Sequence, residues 1–392
     1  MQIMAEFSQI SIPMHTAFVH TKASRLSSES LILILMYDGI KGIGECAPRR
    51  YVTGETISSV TEEILNLNIG SLLNKINFKN LDTSIESLGH LKELEFFYKA
   101  QKFNVVCIIE MALLDLIGKI FNVTLQKIIS KYFLSQYFTN LESKEFYPTS
   151  QVLDLSMLPD CFLDQRRPFH HIKIKVGSST VESVKLIETI RKKVGNNIPI
   201  CVDANMAWNL EEAIDAIKNF EQFNIKFYEE PLAKGDLLSY KKLRSETGAK
   251  ILLDESLCSL EDAINAIHEK AVDAFNIRIS KCGGILKSAR LANLAIENSI
   301  KIQLGAQVAE TGPLIAASRH LVFALKNCFA YEAGQPDYFF KDHYIIDPMP
   351  LVDRRTNFVK PLLGHGLGIE TTENLAIYTV KKFKWNKNWS SA

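Results

Sequence analysis

Three acidic residues close three short apolar runs: Asp203 within VDAN, Glu229 within YEEPL and Asp254 within LLDES. They are spaced 26 and 25 residues apart. One run upstream, Lys173 and Lys175 stand two residues apart and therefore share a strand face. Carboxylates with no His or Cys beside them suit a hard, oxygen-preferring cation such as Mg2+. A lysine near such an ion suits removal of a proton next to a carboxylate, because the enolate that results needs positive charge to form. Taken singly, a strand-end Asp reads as a helix cap, a KxK pair as a solvated face and EEP as a turn. Their joint occurrence, in order and at one period, sets them apart.

These residues can meet only if the chain delivers them to one place. Apolar runs at His171–Val176, Ile200–Asp203, Phe227–Glu229, Ile251–Asp254, Ala274–Ile279 and Lys301–Leu304 read as strands. Amphipathic stretches such as Thr180–Val194 and Asn209–Phe220 read as the helices between them. An alternation of roughly 25–30 residues is that of βα units around a parallel barrel, whose C-terminal strand ends converge on one face. Upstream, the segments near Ile10–Ile12 and Leu31–Met36 are β-rich, and Asp38-Gly39 is a turn signal before Gly42–Gly44. From Ser58 to Phe133 the pattern is helical, and residues 108–121 are apolar nearly all round, as in a buried helix. The chain thus opens as an α+β unit ahead of an α/β barrel. His170-His171 reads as an ordinary strand-edge pair.

The 392 residues are 47% hydrophobic and 23% charged, ordinary for a globular chain with a substantial core. A formal net charge of +1 gives no global field for nucleic acid or an anionic membrane. The longest apolar stretch, Leu31–Tyr37, is too short to span a bilayer, and the N-terminus lacks a signal-peptide pattern. Seven scattered cysteines without CxxC spacing fit a reducing compartment. The expectation is a cytoplasmic protein with no nucleic-acid or membrane partner. A homo-oligomer is compatible with the sequence.

The motifs IKIKVG (172–177), VDANMAW (202–208), YEEPL (228–232), LLDESL (252–257), NIRISKCGG (276–284) and LGAQVAETG (304–312) resemble the enolase superfamily, in its muconate-lactonizing-enzyme subgroup. GIGECAPRRYVTGET (42–56), IEMALLDLIGK (109–119) and GLGIE (366–370) extend the resemblance over nearly the whole chain. It implies a modified TIM barrel at residues 141–350 and an α+β capping domain at 1–140, with residues 351–392 returning to the cap. It implies Mg2+, with Mn2+ as a substitute, on Asp203, Glu229 and Asp254. Glu229 is chosen over Glu230 because it stands two before Pro231. Lys175 would be the base, and Lys173 would favour its neutral form by like-charge repulsion. Asn205, Gln307 and Glu310 would meet a small carboxylate substrate. Segments around Met14–Arg25 and Pro48–Thr53 would form loops that read it.

Two positions depart from the family pattern. Racemising members carry a second acid/base lysine in a motif N-I-K-x-x-K-x-G-G on the sixth barrel strand; here that position is Arg278. Strand parity sets Asn276, Arg278 and Ser280 on one face and leaves Lys281 to the following turn. An arginine stays protonated and shuttles protons poorly. Dipeptide epimerases carry an Asp-x-Asp pair on the eighth strand, where this chain has Glu332 alone. The expectation is a one-base catalyst, a cycloisomerase or a dehydratase (lyase), with Arg278 as a fixed cation. Racemisation or epimerisation of an N-acyl amino acid or dipeptide is the alternative. A barrel that only binds a carboxylate is the third reading.

Overall fold

The computed structural model describes residues 2–20, 23–308 and 310–392. Among them, eight strands follow one another in parallel around a nearly closed barrel. In order these are Ser150–Leu153, His171–Lys175, Ile200–Asp203, Ile225–Glu229, Ile251–Leu253, Ala274–Ile277, Lys301–Leu304 and Ala330–Tyr331. The first and eighth are not paired in the backbone ladder. Their seam is closed by side chains: Gln335 Nε2 donates to the Ser150 carbonyl at 2.7 Å, and the Tyr147 hydroxyl donates to the Cys328 carbonyl at 2.8 Å.

Polar caps start the helices between strands. Ser179, Asn209, Asp236 and Ser259 each accept a bond from the backbone N–H three residues on. Such caps satisfy amides that a helix start leaves unpaired. Inside the barrel the strand period separates two layers. Cys201, Phe227, Leu252 and Ala274, packed with Phe329, form an apolar floor. Two residues further along the same strands come Asp203, Glu229, Asp254 and Asn276, all fully buried. The side-chain period of two thus puts the charged layer directly above an apolar one.

The capping domain is built on a five-stranded antiparallel sheet. Its order is Asn388–Ser391, Thr379–Asn386, Ile3–His20, Ala23–Tyr37, Ile40–Cys46. The helix Phe103–Ile120 lies on it, buried for most of its length. Gly42 and Gly44 are required there: a Cβ at either would strike the carbonyl of Ala112 or Ile108. The segment Met14–Arg25, expected to be a loop, is instead the far end of a β-ribbon in which Phe18 pairs with Arg25. Thr21 and Lys22 within it lie outside the described residues. The first barrel strand, Ser150–Leu153, was not among the strands read from the sequence because Ser150 and Gln151 break its apolar run, and the eighth, Ala330–Tyr331, is only two residues long and was placed only by resemblance.

Three buried acids join the parts. Glu45 accepts from Thr311 N and Oγ1 at 2.8 Å each and from Leu314 N at 3.0 Å, capping the barrel helix Pro313–Leu325 from the capping sheet. Glu110 accepts from Leu286 N at 2.9 Å, and burial pushes its carboxyl up to about 7. Asp115 accepts from Ile43 N at 2.9 Å and Leu367 N at 2.7 Å. The Leu367 carbonyl in turn meets His320 Nε2 at 3.0 Å.

Burial holds His320 down at about 4, against an ordinary 6.5. A depressed histidine contributes stability that is present above pH 6.5 and is lost as pH falls toward 4. Between pH 7 and pH 5 this group alone should remove about 2 kcal/mol of unfolding free energy. Urea titrations at the two pH values should show that His320→Asn, which keeps an N–H for the Leu367 carbonyl, loses about that much less than wild type.

Candidate active site

The buried charges at the strand ends are interleaved. Lys173 Nζ lies 2.8 Å from Glu229 Oε1 and 3.9 Å from Asp203 Oδ2, and it also contacts Glu332 Oε1. Lys175 Nζ donates to Asp203 Oδ2 and to Asn205 Oδ1, both at 2.7 Å. Arg278 pairs through Nη2 with Asp254 Oδ2 and donates through Nη1 to Gln307 Oε1 at 3.0 Å. Glu229 also accepts from Asn276 Nδ2 at 2.8 Å and Gln303 Nε2 at 3.1 Å. Burial pulls the Lys173 ammonium down, but Glu229, Glu332 and Asp203 outweigh it and hold it well above the usual lysine range. Lys173 thus touches three carboxylates, two of them expected metal ligands and the third, Glu332, brought from the eighth strand.

Backbone strain marks the same place. Asn205, Met206 and Glu230, just past the third and fourth strands, have φ of 46°, 61° and 36°. Such conformations cost on the order of 1 kcal/mol or more each and persist only where neighbours fix them. Glu230 is fixed by Asp254 N at 2.7 Å, Ser256 N at 3.2 Å and Tyr240 Oη at 3.1 Å. Burial raises its carboxyl to about 7. Glu229 turns into the barrel while Glu230 braces the next strand.

Above this layer lies a pocket with an empty volume of about 880 Å3, mouth included. Thr16, Phe18 and Tyr51 of the capping domain wall it on one side, and Lys173, Lys175, Asn205, Arg278 and Gln307 on the other. Asp203, Glu229 and Asp254 are not part of its lining and pair with Lys175, Lys173 and Arg278, which are. Glu310, expected at the substrate, is not on the wall. It is 2% exposed, and its Oε1 accepts from Gln307 N at 2.8 Å, shaping the turn that carries Gln307. Burial raises its carboxyl to about 8. His171 is also displaced from its expected place: it points inside the barrel 6.0 Å from the Phe329 ring, and burial lowers it to about 4.

The donor chemistry fits a hard divalent ion. Asp203 and Glu229 are in register on adjacent strands, Asp254 stands on the next, and the set is all oxygen. Asp254 accepts no hydrogen bond at either oxygen, and its charge is met by the Arg278 contact and by Lys281 Nζ at 3.4 Å. Among the described residues, no three acids or His/Cys groups converge as a ready-made coordination shell. Lys173, Lys175 and Arg278 stand between the carboxylates instead.

Residues 162–375 match the family model described as enolase C-terminal domain-like. The chain is 27% identical to the N-succinyl-L-Arg/Lys racemase of Bacillus cereus, covering 94% of this chain and 96% of that one. It is also 27% identical to a chloromuconate cycloisomerase of Pseudomonas putida, over 73% and 75% of the two chains. The crystal structure of the N-succinyl Arg/Lys racemase superposes with a TM-score of 0.83 at 26% identity, covering 98% of this chain and 100% of that one. A dipeptide epimerase from Enterococcus faecalis, solved with Mg and the dipeptide L-Leu-L-Tyr, shares the fold at a TM-score of 0.78 and 23% identity, over 94% and 100% of the chains. The chain belongs to the enolase superfamily and is one of its enzymes. Within the superfamily its relatives are those of the muconate-lactonizing-enzyme-like subgroup. Among the described residues, no helix is long and apolar enough to cross a membrane.

Lys281 was legible only as a turn residue, and its role comes from the structure. Its ammonium is fully buried and donates to the carbonyls of Asp254 (2.8 Å), Leu257 (2.5 Å) and Asn276 (2.9 Å). It thereby fixes the end of the fifth strand to that of the sixth. Lys281→Met strands three acceptors and should cost about 3 kcal/mol or more, read as a lowered urea midpoint with unchanged slope.

Proposed function

We propose that this enzyme removes the proton next to a carboxylate of a small substrate with Lys175 as its only base, and that the reaction ends in elimination, as a cycloisomerase or a dehydratase. The observation that carries this reading is Arg278. It occupies the sixth-strand position from which a second base would act, and it is paired with Asp254 and tied to Gln307. A guanidinium held in a buried ion pair does not cycle between protonation states near neutral pH. It offers a fixed positive charge to an anion that forms in front of it.

Asp203, Glu229 and Asp254 would hold Mg2+, or Mn2+ in its place. The bound ion would supply positive charge to the substrate carboxylate as negative charge develops there. The remaining work belongs to the side chains. Asn205 Oδ1, 2.7 Å from Lys175 Nζ, aims the amine into the pocket, and Phe18 covers it with its ring centroid 5.8 Å away. Lys175 takes the proton from the substrate carbon, and the electron pair left behind spreads into the carboxylate beside Arg278. That pair then forms a double bond to the adjacent carbon and expels the oxygen it bears, which departs as water with the proton returned by Lys175 in a dehydration, or as a carboxylate when a lactone ring opens in a cycloisomerisation. Thr16, Phe18 and Tyr51 keep water from the anion while it lasts.

Racemisation or epimerisation of an N-acyl amino acid or dipeptide is the second reading, and the Bacillus cereus racemase supports it by matching nearly the whole chain. The two readings separate in D2O with Mg2+. The one-base reading expects α-deuteration of one enantiomer of an N-acyl amino acid with retained configuration, or net elimination of a suitable carboxylate. Equal incorporation from both enantiomers with inversion would falsify it and favour the racemase. Lys175→Ala should lower exchange by about 10²–10⁴-fold. Arg278→Lys should keep a measurable part. Asp254→Asn should weaken Mg2+ binding, read by calorimetry, while the circular dichroism spectrum is unchanged.

A further inference from the structure

Asn205 stands between two groups with opposite demands. Its Oδ1 accepts from Lys175 Nζ at 2.7 Å, and its Nδ2 donates to Glu255 Oε1 at 3.2 Å. An ammonium has donors alone, so the amide oxygen must face Lys175 and the amide nitrogen must face Glu255. A carboxyl keeps an acceptor oxygen in either protonation state, so this bond does not depend on the charge of Glu255. The backbone of Asn205 is fixed, with a φ of 46° and its N–H on Asp203 Oδ1 at 3.0 Å. A half-turn of the side-chain amide is what the two side-chain bonds exclude.

Glu255 is itself held. It is 1% exposed and lies between Asp254 and Ser256, whose N–H groups both go to Glu230 Oε2, at 2.7 and 3.2 Å. Its carbonyl accepts from Cys258 Sγ at 3.6 Å. Among the described residues its Oε2 makes no hydrogen bond, so the side chain is engaged through the Asn205 amide. Glu255, Asn205 and Lys175 all line the pocket. A base must offer its lone pair to the substrate carbon, and an N–H aimed at that pair would occupy it. Asp203, the other partner of the Lys175 amine, accepts there and does not compete. Asn205 turned end for end would.

We propose that Glu255 is a positioning residue for the base. It holds the Asn205 amide so that only oxygen faces Lys175, which leaves the lone pair of the amine to the substrate carbon. The consequence for catalysis rests on Lys175 being the base, as proposed above; the orientation of the amide does not.

The first arm of the test needs no substrate. Full-length protein carrying isotope-labelled asparagine is followed by NMR with Mg2+ present, and Asn205→Asp identifies the Asn205 side-chain signals. Those N–H protons should exchange with D2O about tenfold more slowly in wild type than in Glu255→Leu. Glu255→Gln, whose amide oxygen can accept the same bond, should restore most of the protection. The second arm follows α-deuteration of an N-acyl amino acid that wild type exchanges. Glu255→Leu should lower kcat about tenfold, with KM and Mg2+ affinity within about twofold of wild type, and Glu255→Gln should recover part of the loss. Circular dichroism checks the fold of each variant. Equal protection of the Asn205 amide in wild type and Glu255→Leu overturns the proposal, and so does an unchanged kcat. A fall in Mg2+ affinity that matches the fall in turnover overturns it too, since Glu255 would then serve the metal. Should Glu255→Leu not fold, Asn205 protons that exchange in wild type as fast as those of exposed asparagines overturn it equally. Lys175→Ala separates the two claims: if that variant still exchanges the α-proton, the one-base reading fails, while the NMR arm still reports whether Glu255 holds Asn205.

Discussion

The interior of this barrel depends on alternation of charge. A lone ammonium or carboxylate at the depth of Lys173 or Glu229 would cost several kcal/mol. Lys173 among Glu229, Glu332 and Asp203 converts that cost into a lattice in which each charge is a neighbour's counter-ion. The geometry follows from sheet register. Lys175 is level with Asp203, and Asp203 with Glu229, on three successive parallel strands. One residue of slip would turn the whole set into the helix layer outside. The apolar floor of Cys201, Phe227, Leu252 and Ala274 favours the correct register, because the same slip would expel it too.

The lattice is open on one side, and the capping domain closes it. The acids that dock the cap, Glu45, Glu110 and Asp115, accept backbone N–H groups at helix starts and turns and do not chiefly seek cations. Such bonds are directional, so they fix orientation as well as proximity. Glu45 matters most for chemistry. It holds Thr311 and Leu314, in the stretch that also carries Gln307, the partner of Arg278. The position of the capping sheet and that of the pocket guanidinium are therefore linked through a few covalent bonds and one buried carboxylate.

Much of the architecture was legible in the sequence. Six barrel strands declared themselves because a buried parallel strand is a short continuous apolar run, and each of these ended close to where it was read. The polar ends of those runs carried the site residues. Less legible was whatever depends on who stands opposite. Lys173 reads as a charge acting on Lys175 until Glu332 arrives from the eighth strand, 159 residues away in sequence, to take part of it. Glu310 and His171 show the same limit: one was expected at the substrate and the other at a strand edge, and only the packing shows the first under a turn and the second inside the barrel.

The capping sheet begins with Ile3–His20 and is completed by Thr379–Asn386, so nearly the whole chain lies between two strands that pair. A polypeptide leaving the ribosome can close most of its barrel while the first strand still shows an unpaired edge. That edge finds its partner only after Thr379–Asn386 has emerged. The sheet is thus completed by a strand distant in sequence, and loss of Thr379–Asn386 would leave an open edge along Ile3–His20.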